Sequence, residues 1–300
     1  MRVPGIHHVT AIAGNPQANL DFYTQVLGLR LIKRTVNFDD PGSYHLYFGD
    51  ERGTPGTVMT FFPWPDGQRG RAGVGQATVT AFRVPEGSLG WWAERLRTHG
   101  VVPGEVGSRF GSDVLGFEDP DGLRLELVAG EGSGDAEPHA ILGFHGVTLS
   151  EQGFEATARL LTETLGLEAA GESGNRYRFQ CAEAAVVDVL CLPAGTRGRV
   201  SVGTVHHVAF RARDDEEQAE WHERLADLGL NVTRVLDRCY FHSIYFREPG
   251  GVLFEIATDG PGFAIDEPLA ALGGTLRLPP WLEAQRAAIE AQLPPVRARA

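Results

Sequence analysis

Two stretches of sequence, Ile6-His7-His8-Val9-Thr10 and Val205-His206-His207-Val208-Ala209, carry the same His-His-Val motif. Each copy begins a run in which apolar residues recur with a period of two, which predicts a β-strand. A third run of this kind ends in Leu253-Phe254-Glu255-Ile256. Two imidazoles and one carboxylate fixed on strands form the ligand set of non-heme Fe(II) sites, where three coordination positions stay open. The motifs therefore predict a sheet that holds a metal ion.

The composition restricts the class of protein. The 300 residues, 42% of them hydrophobic, suffice for two domains with a sizeable core. The formal net charge of −12 argues against a nucleic-acid partner, which normally requires a basic surface. The three cysteines form no paired pattern, as expected in a reducing compartment. The N-terminus shows no signal-peptide pattern and no apolar run reaches roughly 18 residues, so we expect a cytoplasmic protein without a membrane partner.

The chain repeats one unit four times, at a spacing of roughly 60 to 70 residues. Each unit opens with an alternating strand, continues with a helix and adds about three strand-like runs. In the first helix Asn15 is the predicted cap and Pro16 begins the first turn. All four helices are predicted to end at a glycine, which adopts the left-handed conformation without a steric penalty. These glycines are Gly28, Gly100, Gly166 and Gly229.

Units two and four end alike. The stretch Phe117-Glu118-Asp119-Pro120-Asp121-Gly122 corresponds to Phe246-Arg247-Glu248-Pro249-Gly250-Gly251, and proline followed by aspartate or glycine is typical of a turn. Each stretch is therefore predicted to be the turn of a hairpin that enters the last strand of its unit. In unit four, antiparallel pairing across this turn brings Tyr245 close to Glu255.

The boundary between domains is predicted from a linker. Residues 130–135 are rich in glycine, serine and acidic side chains and separate units two and three. We therefore place units one and two in a first domain, residues 1–132, and units three and four in a second domain, residues 140–262. The repeat stops after unit four, and residues 263–300 are predicted to form a C-terminal arm.

Four tandem units, with histidine near the start of one and glutamate in the last strand of another, resemble the vicinal oxygen chelate superfamily. That superfamily includes glyoxalase I, bleomycin-resistance proteins and extradiol dioxygenases. The resemblance covers almost the whole chain and is strongest to ring-cleaving dioxygenases of the chlorohydroquinone group. The C-terminal arm, in which Pro279-Pro280 introduces an amphipathic helix from Trp281 to Leu293, also looks like that group. The resemblance implies an α+β fold of four βαβββ modules in two glyoxalase-like domains with cupped mixed sheets.

The metal ligands follow from this resemblance. Adjacent residues of a regular strand point to opposite faces, so only one histidine of each pair faces the concave side. In the resembled family the ligand is the histidine immediately before the branched apolar residue, which implies His8 and His207, with Glu255 as the carboxylate. These ligands belong to units one and four, which must therefore meet in space. Units two and three are then expected to pair with each other.

Units two and three lack a second triad. Thr78 stands where His8 would align in unit two, and Gly146 stands there in unit three, with His145 one place earlier. Unit two keeps Glu126 at the position equivalent to Glu255. We therefore expect Glu126 and His145 to have structural roles.

The resemblance also implies chemistry. It implies Fe(II), with Mn(II) as an alternative, and a small aromatic diol and O₂ as substrates, in a protein that we expect to be a homo-oligomer. A base and a hydrogen-bond donor are needed near the metal, and the resemblance assigns such roles to His7, His206, Tyr245 and Arg238, with Thr10 nearby. Regular alternation would turn the two histidines away, so they reach the pocket only through a twist or bulge. Otherwise they orient the ligands from between the layers.

Two other functions remain open. A glyoxalase-like lyase or isomerase uses a fourth ligand, a second carboxylate, but the matching run of unit one, residues 56–63, contains no acid. Asp188 of unit three lies near an equivalent position without a partner histidine. A resistance module of the same fold would sequester a hydrophobic ligand and would need no metal triad. A three-residue triad therefore favours the ring-cleaving enzyme.

Overall fold

The predicted order of strand, helix and three strands is present in all four units of the computed structural model, which describes residues 1–131 and 137–297. Unit one contains β1 (Ile6–Ala13), α1 (Pro16–Asp21), β2 (Arg30–Asn37), β3 (Asp40–Gly49) and β4 (Val58–Pro63). Unit two contains β5 (Gln76–Pro85), α2 (Leu89–Thr98), β6 (Gly107–Arg109), β7 (Ser112–Glu118) and β8 (Arg124–Gly130). Unit three contains β9 (Phe144–Glu151), α3 (Glu155–Arg159), β10 (Glu168–Ser173), β11 (Arg176–Gln180) and β12 (Val186–Cys191). Unit four contains β13 (Thr204–Ala212), α4 (Asp215–Asp227), β14 (Leu236–Asp237), β15 (Phe241–Arg247) and β16 (Leu253–Pro261).

The strands form two curled, mixed sheets of eight strands each. The first sheet has the order β14-β15-β16-β13-β1-β4-β3-β2, so that units four and one lie side by side. The second has the order β10-β11-β12-β9-β5-β8-β7-β6 and combines units three and two in the same way. The α+β fold with cupped sheets is confirmed, and so is the expected pairing of unit one with four and of two with three. Most of the linker, residues 132–136, lies outside the described residues, so the domain limits at 132 and 140 stay predictions.

Local signals in the sequence determine how the helices begin and end. The side chain of Asn15 accepts hydrogen bonds from the backbone N–H groups of Gln17 and Ala18, as expected of a cap. A π-helical turn extends the helix in unit one (Phe22–Val26) and in unit three (Leu160–Thr164). The predicted glycines all have positive φ, between 72° and 77°, which other residues adopt only at a cost.

The later residues of the C-terminal arm, such as Leu282 and Ile289, join the main apolar core, whereas its first residues pack on the face of the first sheet that carries the predicted ligands. Phe263 and Leu272 of the arm join a buried apolar cluster with Ile32 and Val58 of that face. The buried ammonium of Lys33 lies 2.6 Å from carboxylate oxygens of both Asp266 and Glu267, which ties the arm to β2. The predicted helix from residue 281 to 293 is wrong in extent, because α5 covers only Arg286–Gln292 and follows a 3₁₀ turn, Glu283–Gln285. Within the described ranges, no helix is long and apolar enough to cross a membrane.

A buried pair of carboxyl groups joins units three and four. The Thr157 hydroxyl lies 2.7 Å from an oxygen of Glu151 and 2.6 Å from an oxygen of Glu248. A hydroxyl has one hydrogen to donate, so it must accept its second hydrogen bond from a protonated carboxyl group. Burial, together with the neighbouring Glu248, raises the pKa of Glu151 above its ordinary value. The folded protein therefore holds a proton at this contact that the unfolded chain releases.

This retained proton predicts how stability depends on pH. Because the folded state binds more protons than the unfolded state above about pH 4.5, the free energy of unfolding should fall as pH rises toward the raised pKa of Glu151. Glu151→Gln keeps the hydrogen bond without a titrating proton, so it should flatten this slope. Urea unfolding between about pH 5 and pH 9 measures the effect, with Glu118→Gln, a half-exposed acid, as the control. An unchanged slope in Glu151→Gln would contradict the assignment.

Candidate metal centre

A β-bulge lies beside each of the two predicted histidine ligands. Strands β1 and β13 pair antiparallel, with Ile6 opposite Phe210 and His8 opposite Ala209, so that His7 is an extra residue in β1. On the other strand Thr10 faces His207 and Ala11 faces Val205, so His206 is the extra residue. A bulge breaks the strict alternation of side chains, which the sequence analysis named as the condition for both histidines of a pair to take part in the site.

The three predicted ligands meet at one point. The Nε2 atoms of His8 and His207 are 3.3 Å apart. They lie 3.3 Å and 2.9 Å, respectively, from Oε2 of Glu255. All three side chains are buried, with Glu255 fully so. Among the described residues, this is the one group of three or more histidine, cysteine or acidic side chains whose ligand atoms are close enough to hold a metal ion.

A neighbouring histidine contacts Nδ1 of each imidazole of the triad. His7 bonds the backbone carbonyl of Thr258, which requires a ring N–H, and its Nδ1 lies 2.9 Å from Nδ1 of His8. Nδ1 of His7 then accepts, so the proton of His8 is on Nδ1 and its Nε2 is bare. Nδ1 of His206 lies 2.7 Å from Nδ1 of His207, so that His207 can likewise carry its proton on Nδ1 and leave Nε2 bare. This pattern is common for imidazoles that bind metals.

The resulting arrangement fits a cation. Two bare ring nitrogens and a carboxylate oxygen face one another at about hydrogen-bond distance, and in the described part of the chain Oε2 of Glu255 has no hydrogen-bond donor. Three acceptors in a buried site repel one another unless a positive charge lies between them. Burial acts to raise the pKa of Glu255, but the facing imidazoles, which attract the carboxylate when they are protonated, hold its pKa well below its ordinary value. Burial lowers the pKa of His207, whereas the neighbouring Glu255 acts to raise it.

A cavity of about 450 Å³ opens from the triad. His206, Tyr245 and Arg238 line it together with both histidine ligands. Apolar walls surround these polar groups and are formed by Phe38, Phe62, Trp64, Leu236, Phe241 and Leu253. A larger, shallower groove of about 760 Å³ lies in unit two, away from the triad. We favour the smaller cavity because it joins the candidate metal site to an apolar pocket with few polar groups.

Three other predicted residues, Tyr245, Arg238 and His206, line the cavity. Tyr245 pairs with Glu255 across the hairpin, as predicted, and accepts a hydrogen bond from Nε of Arg238 at 3.3 Å. Arg238 also forms an ion pair at 3.0 Å with Asp39, an exposed residue of unit one that the sequence analysis missed. Burial and the neighbouring His207 lower the pKa of His206 to about 3, so its ring is neutral.

His7 and Thr10 do not line this cavity. His7 contacts a smaller cavity of about 300 Å³ on the other side of Phe241, and its link to the triad is the hydrogen bond to His8. Thr10 is buried, and its hydroxyl lies 2.9 Å from that of Thr60. Both residues are therefore placed to support the predicted ligands rather than to touch a molecule in the cavity next to the triad.

The position of a fourth ligand is taken by a threonine. In unit four, Glu255 lies beside Ala209, two residues beyond His207, and in unit one Thr60 lies beside Thr10, two residues beyond His8. Thr60 is therefore the counterpart of Glu255. It cannot supply a second carboxylate, which agrees with the absence of acid in this run of the sequence.

The second sheet repeats the scaffold without the ligands. Thr78 and His145 are the extra residues of its two bulges, so they correspond to His7 and His206. The alignment of Thr78 with His8 was therefore wrong by one residue, because sequence spacing does not reveal the bulge. Val79 occupies the ligand position in unit two, and Gly146 occupies it in unit three, where an added Cβ would lie 2.2 Å from the carbonyl oxygen of Val186.

Arginines neutralise the carboxylates of the second sheet. Glu126 and Asp188 both lie at the register position of Glu255. Glu126 pairs with Arg109, while Asp188 accepts two bonds from Arg178, at 2.7 and 2.9 Å, and one from Arg176. A guanidinium group thus faces each acid where, in the first sheet, two imidazoles face Glu255.

Comparison with known proteins agrees with this fold. The model of the Glyoxalase/Bleomycin resistance protein/Dioxygenase superfamily matches residues 5–127 and 143–256, and the chain belongs to this superfamily. It is 49% identical to "Putative ring-cleaving dioxygenase MhqO" of Bacillus subtilis, over 98% of this chain and 97% of that protein. It is 38% identical to the chlorohydroquinone/hydroquinone 1,2-dioxygenase of Sphingobium indicum, over 94% and 93%.

Solved structures share the fold of this chain. The crystal structure of a "putative dioxygenase" from Bacillus subtilis covers 99% of both chains, with a TM-score of 0.95 and 48% identity. Glyoxalase I from Zea mays shares the fold alone, with 16% identity, a TM-score of 0.63, and coverage of 85% of this chain and 92% of its own.

The matched acids of the two sheets allow a test of the metal site. Glu255→Ala and His207→Ala should each lose most bound metal, because only two ligands would remain. Asp188→Asn and Glu126→Gln change the equivalent acids of the second sheet and should keep one metal per chain. Elemental analysis of proteins purified in parallel measures the content. Full metal retention in both triad variants would rule out this site.

Proposed function

We propose that this protein is a metal-dependent ring-cleaving dioxygenase that opens a substituted hydroquinone, or a catechol, with O₂. The observation that carries the proposal is a buried triad of two imidazoles and one carboxylate at the bottom of an apolar cavity. The similarity to hydroquinone and ring-cleaving dioxygenases over nearly the full length of the chain supports it.

Fe(II) is the proposed metal, with Mn(II) as the alternative. The proposed ligands are His8, His207 and Glu255, a set that suits redox metals with open coordination positions. The metal, when bound, would act as a template and Lewis acid for a phenolic oxygen and O₂. Neutral imidazoles and one carboxylate leave a net positive charge at such a site, which favours binding of an ionised hydroxyl group.

The side chains of the cavity would bind and orient the aromatic substrate. Phe62, Phe241 and Leu253 can contact the faces and edges of an aromatic ring and exclude water. The hydroxyl of Tyr245 and the guanidinium of Arg238 lie on one side of the cavity, where they can hydrogen-bond oxygen atoms of the substrate. His206 lies next to His207, and its second ring nitrogen is free to bond an oxygen atom in the cavity.

The competing functions fit the site less well. A glyoxalase-like lyase needs a second carboxylate, and Thr60 occupies its position. A module that only sequesters a hydrophobic ligand has no use for three acceptors arranged around one point. The dioxygenase accounts for both the triad and the apolar cavity.

Oxygen consumption tests this proposal. The protein, loaded with Fe(II) under anaerobic conditions, should consume one O₂ per molecule of a substituted hydroquinone or catechol. With ¹⁸O₂, both labelled atoms should appear in a ring-opened product, detected by mass spectrometry. The Glu255→Ala variant is the negative control. If the protein instead turned over a methylglyoxal–thiol adduct and consumed no oxygen with any diphenol, the lyase function would replace this proposal.

Tyr245 provides a second test. Tyr245→Phe removes a hydroxyl group that can stabilise developing negative charge, and such a loss typically lowers kcat about 10²-fold. The variant should keep its metal, because Tyr245 is not one of the proposed ligands. Steady-state oxygen uptake and metal analysis, with His206→Ala measured beside it, check both points. Unchanged kcat in both variants would show that neither residue takes part in the reaction.

A further inference from the structure

A second pair of polar residues faces the cavity from unit one. His45 and Tyr47 are both on β3 and, two residues apart, share one face of the strand. The sequence pattern predicts a strand here but no function for either residue. Tyr47 lies opposite Thr60, just as Tyr245 lies opposite Glu255 in unit four. The site therefore has two related walls, and Tyr47 is the counterpart of Tyr245.

His45 has a different partner from its counterpart, Ser243. The hydroxyl of Ser243 bonds the carboxylate of Glu255. Nε2 of His45 lies 2.7 Å from the hydroxyl of Thr60, and its Nδ1 lies 2.8 Å from the hydroxyl of Tyr47. The wall of unit one thus has an imidazole between two hydroxyl groups, where the wall of unit four has a serine and a carboxylate.

These contacts form one continuous hydrogen-bonded chain. It runs from Tyr47 through His45 and Thr60 to Thr10, whose hydroxyl lies 2.9 Å from that of Thr60. All three contacts are satisfied when the tyrosine donates to Nδ1, Nε2–H donates to Thr60, and Thr60 donates to Thr10. In this direction Nδ1 of His45 is an acceptor, and its donor is the hydroxyl of Tyr47, a residue that lines the cavity.

We propose that His45 is the proton acceptor for the bound diol and acts through the hydroxyl of Tyr47. The O–H bond of the diol breaks, its proton binds the oxygen of Tyr47, and the proton of Tyr47 moves to Nδ1 of His45. The reverse transfer returns the proton to the ring-opened product. The inference rests on the proposed function, because it takes a diol as the occupant of the cavity.

The surroundings of His45 keep its imidazole neutral. Burial and the neighbouring His8, His207 and Arg238 lower its pKa well below the ordinary value, while Glu255 acts in the opposite direction. The ring is therefore neutral before a diol binds, and its lone pair can accept. The rings of Tyr47 and Phe62 lie 4.0 and 4.3 Å from the imidazole and hold its orientation.

The ionisation of a bound catechol can be measured by visible spectroscopy, independently of turnover, and tests whether His45 accepts the proton. Protein loaded with Fe(II) is titrated anaerobically with 4-nitrocatechol, whose visible spectrum reports ionisation of its hydroxyl groups. In His45→Gln, which keeps hydrogen bonding but cannot accept the proton, the pH of half-ionisation of the bound probe should rise by about one unit or more, a tenfold effect. Tyr47→Phe should show the same shift. His99→Gln changes an exposed histidine and is the control.

Kinetics complete the test. His45→Gln should lower kcat about 10²-fold, as expected for a lost general base, with little change in KM and in metal content. An unchanged ionisation profile in both His45→Gln and Tyr47→Phe would overturn the inference. If the loaded protein ionises the probe through His45 but consumes no O₂ with any diol, the inference stands and the dioxygenase proposal fails. A loaded protein that does not bind the probe would overturn both.

Discussion

The antiparallel pairing of β1 with β13 is the constraint on which the site depends. It brings together His8 and His207, which are 199 residues apart in the chain, and β16 adds Glu255 beside them. Three buried acceptors within 3.3 Å of one another are unfavourable without a cation. The rest of the first sheet offsets this cost through hydrogen bonds that orient each ligand and an apolar arm that covers the face next to them.

The second sheet shows that the scaffold does not need the metal. It has the same strand order and the same bulges, yet Val79 and Gly146 replace the histidine ligands. Its acids, Glu126 and Asp188, are neutralised by arginines. The fold is therefore stable with either arrangement of charge, and the chemistry belongs to a few side chains of one sheet.

The two walls of the cavity divide the work unequally. Unit four contributes the carboxylate, Tyr245 and Arg238, while unit one contributes a hydrogen-bonded chain that includes His45. Asp39 bridges the two walls through its ion pair with Arg238. A duplicated module thus provides a site whose halves have the same backbone but different proton donors and acceptors.

The sequence by itself predicted the four units, the glycines that end their helices and the hairpin turns, and its resemblance to a known family predicted the three residues of the triad. These are visible because periodicity, capping and turn signals are local, and because a repeated motif marks equivalent positions. Only the tertiary structure decided the bulge at His7, the true counterpart of His8 in unit two, the short helix of the C-terminal arm and the place of His45 in the cavity. Each depends on contacts between residues far apart in the chain, which no local pattern of amino acids records.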